Sequence, residues 1–326
     1  MAGSSPLVMD CAASLPGYAK RISCAGGHWQ RWWLHLILRM TVKRIPIIDV
    51  DFEQVRAQQA GFETRLARVD PQTQRTPVDC GNVAAEWVDV PESRPERVLL
   101  YFHGGAFVFR FPTLHAGMVS GWCRRLGARA LMVDYRLAPE HPFPAAPDDC
   151  LAVYRWLLAQ GHEPCNIVFG GDSAGGNLVL ATLHRIKAVG EPMPSCAVVL
   201  SPVVDFTLSS RSIVVNAKRD PMFALSGLIA LRGYYSPPER FLDPAVSPLF
   251  GDFRGFPPLL FQVGDIEVLL DESIRAAARA HAAGVQVELE IWDRMGHVFQ
   301  AMASLPQAEA AAGNIAEFIA RRNAWH

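Results

Sequence analysis

Residues 171–175 read Gly-Asp-Ser-Ala-Gly and place a serine in a G-x-S-x-G pattern. The apolar run "NIVF" before it predicts a strand, and "NLVLATLHRIKAV" after it predicts a helix. A sharp turn between them would strain Ser173 and expose its hydroxyl near a helix amino terminus, where negative charge is favoured. Asn177 and Leu178 stand where a phosphate-binding loop needs Lys and Ser or Thr. The pattern indicates a nucleophile for acyl transfer, with a purely structural turn as the alternative.

A second glycine-rich stretch, "HGGAF" at residues 103–107, directly follows the apolar run "RVLLYF". Glycines without a Cβ let backbone N–H groups approach a bound carbonyl oxygen closely. Such donors stabilise the negative charge that develops during acyl transfer, each by roughly 10²–10³ in rate. We expect the N–H groups of Gly104, Gly105 and Ala174 to form this oxyanion hole. His103 is interpreted as a brace for the loop rather than a catalytic base.

The stretch "QVGDIEVLLDES", residues 262–273, contains four carboxylates after an apolar run. Asp271 and Glu272 fall in the first turn of a predicted amphipathic helix, where acidic residues suit the helix dipole. Asp265 and Glu267 lie just beyond the predicted strand. Either could accept a hydrogen bond from a catalytic histidine, and spacing alone does not separate them.

Alternating strands and helices must position these residues. Helices are expected at 113–127, 146–160, 175–189, 270–283 and 306–322. The strand candidates are apolar or β-branched runs, several of them continuous as in a parallel sheet covered on both faces: "AEWVDV", "RVLLYFHGG", "ARALMVDYR", "NIVFGGDS", "CAVVLSPVVD", "PLLFQVGD" and "QVELEIWD". This order predicts an α/β fold with a mostly parallel sheet and right-handed crossovers.

Two regions interrupt the alternation, residues 1–50 and 206–242, and both are interpreted as a cap, or lid. The catalytic domain would then consist of residues 51–205 and 243–326. Within the first cap region, "WQRWWLHLILRM" is too short and too basic to cross a bilayer, so stable membrane insertion is not expected. It is typical of an amphipathic helix that covers another part of the protein.

Composition narrows the functional classes. The 326-residue chain is half apolar with a formal net charge of −1, which implies no general attraction to nucleic acid. Its seven scattered cysteines contain no CxxC pair, so neither a zinc site nor a secreted disulfide framework is expected. The amino terminus lacks the pattern of a secretory signal, which favours a cytoplasmic location.

Together, "HGGAF", "DYRLAPEHPFPAAPDD", "GDSAGGN", "EVLLDES" and "GHVF" resemble the hormone-sensitive-lipase-like α/β-hydrolases, or bacterial family IV carboxylesterases, over roughly residues 85–326. The resemblance implies an α/β-hydrolase fold with a mostly parallel central sheet, flanking helices and a helical cap. It also implies a serine esterase for short acyl chains that needs no metal or cofactor. Because relatives often pair through an edge strand or final helix, it raises a homodimer as well. Ala106 departs from the family's third glycine.

The family order of serine, acid and histidine implies that His297, in "MGHVFQ" after the last strand, is the base. The family position of the acid falls on Glu267, where aspartate is commoner, and Asp265 is the rival. The proposed chemistry is acyl transfer through Ser173 to a small-molecule ester.

An apolar substrate pocket is expected from aromatic and Met side chains, each equally explained by packing of the cap: Phe107, Phe109, Met222, Phe223, Tyr234, Tyr235, Trp32 and Trp33. The competing class is a ligand-binding relative without turnover, as in the plant gibberellin receptors, although those lack the working histidine. A lactonase, an amidase or a lipase with the same fold are further alternatives.

Overall fold

A computed structural model describes residues 15–44, 50–66, 69–323 and 325. In these residues nine strands form a single sheet in the order β1-β9-β8-β7-β6-β4-β5-β3-β2. The strand β3 runs antiparallel to both of its neighbours, and the other adjacent pairs are parallel. The strands are β1 (Ala19–Ile22), β2 (Gln74–Asp79), β3 (Ala84–Asp89), β4 (Val98–Phe102), β5 (Arg129–Val133), β6 (Ile167–Asp172), β7 (Cys196–Leu200), β8 (Leu259–Gly264) and β9 (Val287–Trp292).

Helices cover both faces of the sheet. Those described are α1 (His28–Met40), α2 (Phe52–Leu66), α3 (Pro112–Leu126), α4 (Ala145–Ala159), α5 (Ala174–Val189), α6 (Ser212–Val215), α7 (Leu225–Tyr235), α8 (Leu270–Ala282) and α9 (Pro306–Asn323). Helices α4, α5 and α8 pack on one face, against Leu100 and Phe102 of β4. Helices α3 and α9 pack on the other, against Leu99 and Tyr101. The alternation of side chains along β4 thus divides the core into two layers.

The predicted α/β-hydrolase fold is confirmed, and all seven strand candidates and five helix candidates are present. Two strands were missed. The sequence of β1, "AKRI", contains two adjacent cations, and that of β2, "QRTPVD", contains a proline. Both lie at the edges of the sheet, where such residues are tolerated and the apolar signal is weak.

The predicted cap boundary at residues 1–50 is wrong for residues 19–22, because β1 pairs with β9 in the catalytic sheet, with Ala19 opposite Leu289. Residues 1–14 and 45–49 of that predicted cap lie outside the described residues. The helix α1 contacts the second predicted cap segment, since Arg39 donates to the Arg219 carbonyl at 2.9 Å. No described helix is both long and apolar enough to cross a membrane.

Candidate active site

Ser173 occupies the turn between β6 and α5, as the sequence predicts. Its backbone angles, φ 55° and ψ −116°, are strained for a residue with a side chain. The turn is tight because Gly175 lies against β4, where an added Cβ would be 1.8 Å from the Phe102 carbonyl oxygen. The Ser173 N–H donates to the Leu200 carbonyl at 2.8 Å. These contacts hold the serine at the carboxyl ends of three neighbouring strands.

His297 and Glu267 form a buried hydrogen-bonded pair, with 2.9 Å between His297 Nδ1 and Glu267 Oε2. The other oxygen, Oε1, accepts hydrogen bonds from the Ser201 hydroxyl at 2.8 Å and the Gly264 N–H at 2.6 Å. A carboxylate held in this way fixes the imidazole tautomer with its proton on Nδ1. His297 Nε2 has no hydrogen-bond partner among the described residues, so its lone pair is available to a reacting group.

Ser201 is a site residue that the sequence analysis missed. It follows β7, is fully buried and adopts a positive φ of 44°. Besides donating to Glu267, its hydroxyl lies 3.4 Å from the N–H of Val298, the residue after the histidine. Ser201 therefore joins the acid loop to the histidine loop. Its position directly after the predicted strand "CAVVL", at the carboxyl end of the sheet, could have marked it as a candidate site residue.

The loop after β8 is held in place by its backbone. The Asn216 side-chain amide donates to the carbonyls of Asp265 at 3.1 Å and Glu267 at 2.8 Å. An added Cβ on Gly264 would lie 2.0 Å from the Met295 carbonyl oxygen, so glycine is required where the acid and histidine loops meet. The acid is thus positioned by residues far apart in sequence.

Asp265, the rival acid, has a different set of partners. Its carboxylate accepts hydrogen bonds from Arg21 at 2.8 Å and from the Arg294 N–H at 2.5 Å, and Arg219 lies 3.6 Å away. These contacts attach β1 to the sheet edge and leave no hydrogen bond to His297. Of the two candidates, only Glu267 contacts the imidazole.

Glu272, in the first turn of α8, also binds the backbone of another loop. It is fully buried, and one carboxyl oxygen accepts the N–H groups of Val204 and Asp205, the latter at 3.0 Å. Burial raises the pKa of Glu272 to about 8. Asp271, partly exposed, accepts the Ser212 N–H at 2.8 Å and so ties α8 to α6.

The glycine loop after β4 differs from the prediction in one donor. The Gly104 N–H donates to Asp172 Oδ1 at 2.9 Å, and an added Cβ on Gly104 would lie 2.1 Å from the same carboxylate. The Gly104 N–H is therefore already used and is not available as the donor that the sequence analysis expected. The N–H groups of Gly105, Ala106 and Ala174 meet no acceptor in the described part of the chain.

Ala106 has a φ of +56°, in the left-handed region that favours glycine. An alanine here costs about 1 kcal/mol of backbone strain relative to glycine. The departure from the family motif therefore falls at a position where glycine is conformationally preferred. The loop forms a tight turn in which the Phe109 N–H donates to the Gly105 carbonyl at 2.8 Å.

A second buried imidazole–carboxylate pair, His115 and Asp172, lies beneath this loop. His115 Nε2 is 3.2 Å from Asp172 Oδ1, and the Tyr101 hydroxyl donates to the same oxygen at 2.6 Å. Burial alone would raise the pKa of Asp172, but the nearby His115 and the hydrogen bonds from Tyr101 and Gly104 together outweigh it and lower the pKa to about 2. Burial lowers the pKa of His115 and the Asp172 carboxylate raises it, with a net increase. The two groups form an ion pair that braces Gly104.

His103 is stacked on Tyr135 with ring centroids 4.1 Å apart, and its Nδ1 is 2.7 Å from the Gly104 carbonyl oxygen. Burial lowers the pKa of His103 to about 3, which keeps the ring neutral. These contacts agree with the predicted brace and place the imidazole within the loop's own structure.

Asp220 connects the cap insertion to the acid loop. Its carboxylate accepts the N–H groups of Met222 at 2.7 Å, Phe223 at 3.0 Å and Val268 at 2.9 Å. The Phe223 ring packs edge-on against the His297 ring, with centroids 4.7 Å apart. Of the predicted pocket residues, Phe223 is therefore placed directly at the candidate base.

Four other predicted pocket residues form two aromatic groups. Phe107 stacks on Tyr235 with centroids 3.7 Å apart, and both rings are buried. Phe109 and Tyr234 pack around Phe52 of α2, at 5.7 Å and 4.8 Å between centroids. These contacts join the glycine loop to α7 and α2 and are those of a packed cap.

Trp32 and Trp33 lie together on α1, with ring centroids 4.9 Å apart, and both are more than half exposed. The structure leaves them at the surface, apart from the aromatic contacts around His297. No group of three or more His, Cys, Asp or Glu residues in the described part of the chain is arranged to hold a metal ion.

Comparisons with known proteins identify the family of the chain. The family model described as alpha/beta hydrolase fold matches residues 99–301. An esterase of Acinetobacter venetianus is 35% identical over 295 residues, covering 90% of this chain and 97% of the relative. The crystal structure of an esterase from the bacterial hormone-sensitive lipase family superposes with a TM-score of 0.86 at 37% identity, covering 91% and 99% of the two chains. The crystal structure of EstE5 soaked with p-nitrophenyl butyrate has a TM-score of 0.85 at 40% identity, covering 92% and 100%.

Proposed function

The chain belongs to the bacterial hormone-sensitive-lipase-like α/β-hydrolases, a family of esterases, and we propose that it hydrolyses short-chain acyl esters with Ser173, His297 and Glu267. The observation that carries the proposal is the 2.9 Å hydrogen bond from His297 Nδ1 to Glu267. It leaves Nε2 unpaired in the loop bonded to Ser201, next to the strand end that holds Ser173.

In the first step, His297 Nε2 accepts the Ser173 proton while the serine oxygen attacks the ester carbonyl. The imidazolium that forms is stabilised by the Glu267 carboxylate. It then protonates the leaving alcohol, and an acyl-serine remains. In the second step His297 accepts a proton from water, and the hydroxide attacks the acyl carbon. Collapse of that intermediate returns the proton to Ser173 and releases the acid.

The negative oxygen of each tetrahedral intermediate needs N–H donors that are not already used. Gly105 and Ala174 keep their predicted roles, and Ala106 replaces Gly104 as the third candidate donor. Ala174 is the first residue of α5, so the helix dipole adds to its hydrogen bond. Asp172 fixes the loop through Gly104 and so keeps the free donors in place.

The acyl group would lie against Phe223, whose ring edge meets His297. The cap, formed by α1 and residues 206–242, would close over it, since Asp220 joins that insertion to the acid loop. The buried Phe107–Tyr235 stack fills space between the glycine loop and α7, which favours a compact acyl chain. The soaking of the similar EstE5 with a butyrate ester supports the same substrate class.

Hydrolysis of p-nitrophenyl esters of increasing chain length by the wild type and by Ser173→Ala tests the proposal. We expect turnover of the shorter esters by the wild type and a loss of about 10⁴-fold or more in kcat for the variant. Ser304→Ala, at an exposed serine of the described chain, is the matched control and should keep wild-type activity.

Undiminished turnover by Ser173→Ala would contradict the mechanism. If neither protein turned over any ester, the ligand-binding alternative would be favoured. A lactone and an anilide in the same assay separate the lactonase and amidase alternatives, because the triad does not by itself select the bond. A preference for the longest esters would favour a lipase.

A further inference from the structure

Helix α1 turns its apolar side toward solvent. Its large apolar residues recur three or four positions apart and therefore share one side of the helix. Each is between 37% and 75% exposed, and no residue of α1 is fully buried. We call this set the α1 face: Trp29, Trp32, Trp33, Leu36, Ile37 and Met40. The apolar side of the helix is therefore not the side that packs on the described part of the protein.

The opposite side of α1 packs near the candidate base. An added Cβ on Gly296, the residue before His297, would lie 3.6 Å from His35 Nε2. Burial lowers the pKa of His35 to about 4, so this contact involves a neutral imidazole. The α1 face is therefore the outer surface of a helix whose inner surface lies beside the histidine loop.

Basic residues outnumber acidic ones in two chain segments, one that includes the α1 face and one next to it. From residue 28 to 44 the chain contains four Lys or Arg residues and no Asp or Glu, and from 206 to 219 it contains three and none. The two segments are joined, because Lys43 donates to the Ala217 carbonyl at 2.7 Å. Val214 and Val215, both largely exposed, add apolar surface to the second segment. The overall net charge of −1 conceals this local excess.

We propose that the α1 face, with the basic residues around it, binds the surface of an anionic lipid bilayer. Three tryptophans among aliphatic residues are suited to the boundary between headgroups and acyl chains, and the adjacent cations suit anionic headgroups. Each Lys or Arg near such a surface contributes about fivefold in affinity. The basic surroundings disfavour pairing with a second copy of the chain, which would bring like charges together.

Flotation with phosphatidylcholine vesicles, with and without phosphatidylglycerol, measures this binding without any ester hydrolysis. We expect the wild type to float with the vesicles that contain phosphatidylglycerol and to be released by high salt. The triple variant Trp29→Ser/Ile37→Ser/Met40→Ser should lose at least about tenfold in affinity. The triple variant Arg44→Gln/Arg211→Gln/Lys218→Gln should lose about a hundredfold in affinity, at about fivefold for each of the three charges.

Val189→Ser is the matched control, since Val189 is an exposed apolar residue at the end of α5. It should bind vesicles as the wild type does. All variants should keep the circular dichroism spectrum and the cooperative unfolding transition of the wild type, which shows that they are folded.

The proposal is overturned if the wild type does not bind the anionic vesicles, or if both triple variants still bind them fully. Sedimentation velocity without lipid tests the other occupant. Self-association that the apolar triple variant abolishes would assign the α1 face to a dimer and overturn the lipid proposal.

Discussion

The described part of the chain contains two buried imidazole–carboxylate pairs, His115–Asp172 and His297–Glu267, and they differ in whether a ring nitrogen remains without a hydrogen bond. In the pair beneath the glycine loop, His115 Nε2 faces Asp172 and Nδ1 is 2.9 Å from the Phe111 carbonyl oxygen. Both ring nitrogens are used by the protein. In the other pair, His297 uses only Nδ1, toward Glu267.

Both carboxylates are fully hydrogen-bonded, but their bonds have different consequences. Asp172 is bonded to Tyr101, Gly104 and His115, and it fixes a backbone turn. Glu267 is bonded to groups that hold it against a histidine with one free nitrogen. A buried His–carboxylate pair is thus no sign of a base in itself. The free nitrogen distinguishes a reactive pair from a structural one.

The largest expected difference between the pairs is in turnover. His297→Gln should lower kcat for a p-nitrophenyl ester by about 10⁴-fold, because no other group would accept the serine proton. His115→Gln should lower kcat by no more than about tenfold, ~1.4 kcal/mol of transition-state stabilisation. Equal losses of kcat in the two variants would show that the His115–Asp172 pair takes part in the chemistry.

The second difference is in stability. His115→Gln should lower the free energy of unfolding by about 3 kcal/mol, because it leaves the buried Asp172 without its ion partner. His297→Gln should lower it by less, because Glu267 keeps its hydrogen bonds from Ser201 and Gly264. Urea unfolding of both variants and the wild type gives the comparison.

The stability contributed by His115 should depend on pH. Its folded pKa is raised above the ordinary value of 6.5, so this stability is complete below pH 6.5 and is lost as pH rises through the raised pKa. Asp172, with a pKa of about 2 against an ordinary 3.8, contributes fully above pH 3.8 and loses its contribution toward pH 2. The difference in unfolding free energy between wild type and His115→Gln should therefore be larger near pH 5 than near pH 9. A larger difference near pH 9 would contradict the ion pair.

The smallest expected effect concerns the glycine loop after β4, which the His115–Asp172 pair supports. Ala106→Gly relieves a left-handed conformation, which should stabilise the fold by up to about 1 kcal/mol, less the added freedom of the unfolded chain. A small rise in Tm with unchanged KM would agree with a strained but correctly placed loop. A fall in Tm would show that the alanine methyl contributes favourable packing.

The sequence predicted the Glu267–His297 pair better than the Asp172–His115 pair. Glu267 and His297 lie in motifs with a family meaning, and the parallel strands that end beside them are strongly apolar. His115 lies within a helix, and its partnership with Asp172 depends on how α3 packs on the sheet, which no local pattern records. The involvement of the Gly104 N–H was missed for the same reason.

The edges and the cap were also harder to predict. The strands β1 and β2 are short, polar edge strands with little apolar periodicity. In α1 the periodicity was clear, but a pattern of apolar residues does not say whether they face the protein or the solvent. Ser201, Asn216 and Asp220 act through contacts between loops far apart in sequence.

The central claim is that Glu267, and not Asp265, orients the base. Its most direct test is kcat/KM for Glu267→Gln beside Asp265→Asn, with both variants shown to be folded. We predict a loss of about 10³-fold or more for Glu267→Gln, because an amide that donates to Nδ1 moves the proton to Nε2 and removes the base. Asp265→Asn should stay near the wild-type value, since that carboxylate contacts Arg21 and the Arg294 N–H. Loss of activity in Asp265→Asn with full activity in Glu267→Gln would contradict the account.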